Sequence, residues 1–176
     1  MKTLTQQLVM YANYHRDPRN ILTHFVGIPL IVFAIAVLLA RPEFALFGLV
    51  LAPVYFVVGA ACLYYLALDI KLGILMGLVF SMTVYGAQYV ASLSTIEWLA
   101  WSIGLFVVGW VFQFVGHFYE GKKPAFVDDM TGLLIGPLFV VCEFAFMFGL
   151  MKKLKAEVES RAGPVCHQTG PEAKAS

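Results

Sequence analysis

Residues 13 to 30 read NYHRDPRNILTHFVGIPL. Up to Asn20 the stretch is polar and charged; from Ile21 onward it is apolar. Behind it, residues 3–16 carry Leu4, Leu8, Tyr11 and His15 on one helical face, with a Thr3/Gln6 capping box at the start. Asp17-Pro18 ends that helix, because the residue before a proline is pushed out of the α region. The helix is too short and too polar to cross a bilayer, so it is expected to lie on the membrane surface with His15 turned inward. Ahead, residues 21–40 form an uncharged run closed by Arg41-Pro42. Asn20 reads as the N-cap of this first span, which places His24 in its opening turns. The stretch is therefore the joint between a surface helix and a membrane helix, with an imidazole on either side.

Composition points the same way. Hydrophobic residues make up 60% of the 176 and charged residues 13%, about half the share usual in a soluble domain. Mean hydropathy is +0.80. A spanning helix needs about 20 apolar residues. Residues 21–40, 44–68, 72–93 and 98–118 meet that, and 130–151 form a fifth run interrupted by Gly136-Pro137 and Glu143. The fold expected is an all-α polytopic membrane helix bundle of four spans plus this fifth run, with an N-terminal amphipathic surface helix. Residues 1–154 read as a single transmembrane domain and 155–176 as a polar tail of disordered composition. A net charge of +1 gives no electrostatic footprint for nucleic acid. Cys62, Cys142 and Cys166 supply neither a disulfide framework nor a CxxC pair.

Charge sets the orientation. Lys2, Arg16, Arg19, Lys71, Lys122 and Lys123 share the cytoplasmic side if the N-terminus is inside. A full crossing by residues 130–151 would put Lys152, Lys153 and Lys155 outside, so either that run is a re-entrant or broken hairpin, helped by Gly136-Pro137, or the rule fails at that end. This topology brings His15, His24 and His117 to one membrane face, although about a hundred residues separate them. His117 and Glu120 stand at i, i+3, on one helical face. Imidazoles with a carboxylate suit non-haem Fe(II), leaving positions for substrate and O₂. Zinc or another divalent ion fits the same ligand types. Glu120, Asp128 or Asp129 is the candidate fourth ligand, the two aspartates alternatively supporting a metal-bound histidine. Arg16, Arg19 and Asn20 are candidates for an anionic headgroup. Glu143, ionisable within an apolar run, is a functional candidate on its own, with Gln88 and Gln113 as hydrogen-bond partners.

Three segments, YHRDPRNILTHFVGIPL, FQFVGHFYEGKKPAF and DDMTGLLIGPLFVVCE, resemble the membrane family of 2-hydroxy fatty acid dioxygenases over residues 5–150. The resemblance implies an Fe(II)-dependent enzyme that uses O₂ to shorten a 2-hydroxy fatty acid by one carbon, the α-oxidation step. His15, His24 and His117 match its histidines, and Glu120 the acidic position that follows the last. The spans and the Lys/Arg bias lead to a multi-pass protein with its site on the cytoplasmic face, and the low charge and short loops suit a bacterial inner membrane or the endoplasmic reticulum. Two other classes compete: a small transporter working through Glu143, and a non-enzymatic membrane scaffold.

Overall fold

The structure, a computed structural model, describes residues 2–167, apart from the side chain of Phe126. It is an all-α helix bundle: α1 (Leu4–Ala12), α2 (Pro18–Ala40), α3 (Pro53–Leu68), α4 (Ile70–Ala91), α5 (Thr95–Glu120), α6 (Gly132–Met147) and α7 (Lys152–Ala162). Among the described residues the strands are two, β1 (Phe44–Leu46) and β2 (Leu49–Leu51). The helices α2, α4 and α5 are each long and apolar enough to cross a membrane. Of the tail whose composition reads as disordered over 155–176, residues 155–162 are helical, as part of α7, and 168–176 lie outside the described residues.

Contacts divide the chain into two compact units. One runs from Leu30 to Val108; the other comprises the chain through Pro29 and from Gly109 onward. In the first, Ala36, Val37, Ala40, Ala52, Val54 and Ala87 form a buried cluster of small side chains that lets helices pack closely. Its second apolar run departs from the expected helix over 44–68. Residues 44–51 instead form an antiparallel hairpin in the register Phe44↔Leu51, with Phe47-Gly48 at the turn. The reason is local. Ala52 is extended, as a residue before proline prefers, and Pro53 opens α3 at the one helical position that suits it. The helix that remains has 16 residues, about 24 Å. Asp69 then caps α4 by accepting a hydrogen bond from the Leu72 N–H.

The second unit holds α1, the opening turns of α2, the end of α5, a short 3-10 turn (Ala125–Val127), α6 and α7. The Thr3/Gln6 capping box is present, but α1 ends at Ala12, short of the 3–16 expected. The fifth run is also broken, at a different place: Gly136 and Pro137 sit inside α6, and the break falls at residues 148–151. Gly149, at φ 71°, lets α6 finish in a Schellman turn, with Gly149 N–H bonded to Phe146 O and Leu150 N–H to Ala145 O. The chain leaves at 113° into α7. That helix is polar; it buries Val158 and packs on α1.

Candidate metal centre

Three elements deliver the histidines. After α1, main-chain bonds from Tyr14 to Tyr11 O and from His15 to Ala12 O wind the chain into a tight turn. Asp17 caps α2, its carboxylate accepting from the Arg19 N–H at 2.9 Å, with Pro18 as the first helical residue. The cap expected at Asn20 is thus three residues earlier, because Pro18 supplies a helical φ and Asp17 a short acceptor. His15 lies in the turn, His24 in the second turn of α2, and His117 in the last turn of α5, which Gly121 follows.

The three rings meet edge to face, with centroids 4.4 Å apart for His15–His24, 4.9 Å for His15–His117 and 5.1 Å for His24–His117. All three are buried. The hydrogen bonds decide the tautomers. His15 Nδ1 lies 2.7 Å from Tyr11 O, and His24 Nδ1 2.8 Å from Asn20 O. A carbonyl only accepts, so each Nδ1 carries the proton and each Nε2 is left as a lone pair. Those two Nε2 atoms face each other at 3.0 Å. His117 Nδ1 is buried with no hydrogen-bond partner among the described residues.

One donor nitrogen from each ring lies within 4.8 Å of the others. Lone pairs held this close repel unless a cation sits between them, and two nitrogens bound at right angles to one ion at ~2.1 Å lie about 3 Å apart. The donor set therefore fits a divalent metal. Burial, reinforced by His24 and His117, drives the His15 pKa well below the usual 6.5, so the ring is neutral as a ligand must be. Tyr11 stacks flat on His15, at 4.1 Å and 6°, and Phe139 of α6 packs against both rings. Tyr11 also walls a neighbouring cavity of about 230 Å³ lined by Met10, Tyr14 and Ile135.

The remaining candidates are engaged elsewhere. Glu120 accepts from the main-chain N–H of Arg16 with both oxygens at 3.0 Å, from that of Asp17 at 2.8 Å and from Asn20 Nδ2 at 3.0 Å. It anchors the turn that carries His15. Asp128 binds Tyr14 and Lys123, and Asp129 binds Lys2 and Thr131. Those partners hold both carboxyls below their ordinary range, led by Lys123 for Asp128 and Thr131 for Asp129. Of the headgroup candidates, Arg16 is buried, Arg19 pairs with Asp17 and lies over the Tyr119 ring, and Asn20 donates to Tyr14 O and Glu120. Glu143 meets Arg16 at 3.2 Å rather than Gln88 or Gln113: Gln88 bonds Tyr55, and Gln113 Nε2 is buried without a partner among the described residues.

Sequence reasoning missed Phe139, whose contact with His15 joins residues far apart in the chain. It also missed the use of Gly163 and Cys166, which bond Arg16. Tyr11 was on the stripe with His15, and its i−4 spacing was the available signal.

The chain matches the protein family described as "2-hydroxy-palmitic acid dioxygenase Mpo1-like" over residues 1–148. It is 32% identical, over 165 residues, to the 2-hydroxy-palmitic acid dioxygenase MPO1 of Saccharomyces cerevisiae, an alignment covering 89% of this chain and 87% of the yeast protein. No solved structure matches it. With this match across nearly the whole helical region, including all three clustered histidines, the chain belongs to the Mpo1-like family.

Proposed function

We propose that the protein is an iron-dependent dioxygenase that shortens 2-hydroxy fatty acids by one carbon at a membrane interface. The observation that carries this is the pair of Nε2 lone pairs of His15 and His24, 3.0 Å apart, with one His117 ring nitrogen completing a buried three-nitrogen set. The yeast relative's name supplies the reaction class. Iron is favoured over zinc because O₂ must be reduced and zinc has no redox chemistry. The substrate provides all the electrons: a 2-hydroxy acid plus O₂ balances as an acid one carbon shorter, CO₂ and water, with no cosubstrate.

His15, His24 and His117 would hold the metal, which when bound supplies the means of activating O₂. The protein's own work is arrangement. Tyr11 O and Asn20 O fix two ring tautomers, so that the lone pairs converge. Tyr11 and Phe139 cover His15 and keep water from that side of the cluster. Glu120 fastens the His15 turn to the end of α5. We assign Glu120 this anchoring role, and read the ligand set as the three histidines. Lys122, Lys123 and the amino-terminal cations then set the site at the cytoplasmic face, where a fatty acid keeps its carboxylate in the interface and its tail among apolar helices.

The test is incubation of purified, iron-loaded protein with 2-hydroxypalmitic acid and O₂. The expected product is the fifteen-carbon acid with CO₂, abolished by His15→Ala, His24→Ala or His117→Ala. Full turnover by all three variants would sink the proposal.

A further inference from the structure

Arg16 is buried one residue from a histidine of the cluster, and its guanidinium is fully engaged. Nε donates to Ala12 O at 3.0 Å and to His15 O at 2.9 Å; Nη1 donates to Gly163 O at 3.0 Å; Nη2 meets Glu143 Oε1 at 3.2 Å. The Arg16 main chain is engaged as well, its N–H by Glu120 and its carbonyl by the Cys166 N–H at 3.0 Å. One residue thus links the His15 carbonyl to α5, to α6 and to the chain that follows α7.

We propose that Arg16 and Glu143 are positioning residues for the metal centre, and that the segment Gly163–Cys166 is the strap that completes their hold on the His15 turn. The inference rests on the metal-centre reading above. Its physical basis is that residues 15–17 are irregular and buried, so their main-chain polar groups must each find a partner inside the protein. His15 O finds Arg16 Nε, and Arg16 O finds Cys166 N–H. If the strap lifts, Arg16 loses two bonds at once, one at its guanidinium and one at its own carbonyl. The guanidinium that holds the His15 carbonyl then loses its orientation, and with it the alignment of His15 Nε2 on His24. The family match ends at residue 148, so the strap lies beyond the matched region and completes a site built within it. The strap is itself largely exposed at Val165 and Cys166, so it can detach without opening the helix bundle. Glu143 gains a definite role: it neutralises the buried guanidinium from the far side, which fixes the direction in which Arg16 points. Breaking such a buried pair leaves an uncompensated charge.

Cobalt(II), measured against a chromogenic chelator with full-length protein in detergent micelles, tests this without turnover. Cys166→Pro deletes the N–H that bonds Arg16 O, whereas Cys166→Ala keeps it. Cys166→Pro is expected to bind Co²⁺ about tenfold more weakly than wild type, the lower end of the loss usual for groups that orient a ligand. Its visible ligand-field band should shift while helix content stays unchanged. Cys166→Ala should match wild type, and Glu143→Gln should weaken binding at least as much as Cys166→Pro. If Glu143→Gln fails to fold, the Cys166 pair still decides. Equal affinity and identical bands in wild type, Cys166→Pro and Cys166→Ala would overturn the strap while leaving the metal centre standing. A wild-type protein that binds no Co²⁺ would overturn the metal reading itself, and the strap with it.

Discussion

His15 and His24 present their Nε2 atoms to each other at 3.0 Å, while each Nδ1 is tied to a main-chain carbonyl four residues earlier. Because both Nδ1 protons are committed, neither ring can donate to the other. The arrangement is stable only with a cation between the two nitrogens, or at the expense of protonating one buried ring. Metal should therefore stabilise the fold. Purified protein is expected to carry one divalent ion per chain by elemental analysis. Removing it with a chelator should lower the melting temperature by several degrees, and added Fe²⁺ or Co²⁺ should restore it. A melting temperature indifferent to chelator would contradict this.

Glu120 gives a second prediction. Its carboxylate accepts from two main-chain N–H groups and the Asn20 amide. Glu120→Gln puts an NH₂ group where an acceptor is needed and leaves a buried donor facing donors. The expected loss is about 2–3 kcal/mol of stability, from the penalty for unsatisfied buried groups. Denaturant unfolding in micelles measures it. If Glu120 were a metal ligand and nothing more, the metal-free protein would show no such loss.

Acid should act through His15. Its folded pKa lies far below the unfolded value of about 6.5, because burial and two neighbouring imidazoles oppose a charge there. Between those two values the unfolded chain holds a proton that the folded chain refuses. Stability of the metal-free protein is therefore highest above pH 6.5 and falls as the pH drops below it, by up to about 1.4 kcal/mol per unit from this residue. Melting curves from pH 7.5 to 5 should show the decline, and His15→Gln should make it shallower without abolishing it.

Why some of this could be seen in the sequence and some could not follows from the range of the forces involved. That His15, His24 and His117 meet is a consequence of span lengths and a proline turn, and both are local. The hairpin at residues 44–51 was hidden because an apolar run has the same hydropathy whether it is helical or extended; only Pro53 marked the break. Glu120 next to a histidine looks like a ligand when read along the chain. Its actual partners are main-chain N–H groups of a turn about a hundred residues away, and main-chain groups leave no trace in a sequence. Glu143 was conspicuous as a carboxyl in an apolar run, yet its partner Arg16 belonged on paper to a cluster of topology signals. Pairings of that kind depend on tertiary packing, which periodicity does not report.

The packing of α5 on α2 beside the cluster supplies a last prediction, in which two glycines of one helix should behave oppositely. At Gly116 a Cβ would overlap the Thr23 hydroxyl and the Asn20 amide oxygen, and Asn20 is bound to Glu120. At Gly104 a Cβ would meet nothing within 4 Å. Gly104→Ala should be neutral or gain up to about 1 kcal/mol from helix propensity. Gly116→Ala should cost about 1–3 kcal/mol through overpacking. The side chain it pushes is Asn20, whose carbonyl fixes the His24 tautomer and whose amide helps hold Glu120, so metal affinity should fall together with stability. Paired melting and Co²⁺-binding measurements check both. If the two substitutions proved equally harmless, helix α5 would not approach Asn20 as closely as the structure has it, and the convergence of His24 and His117 would lose its support.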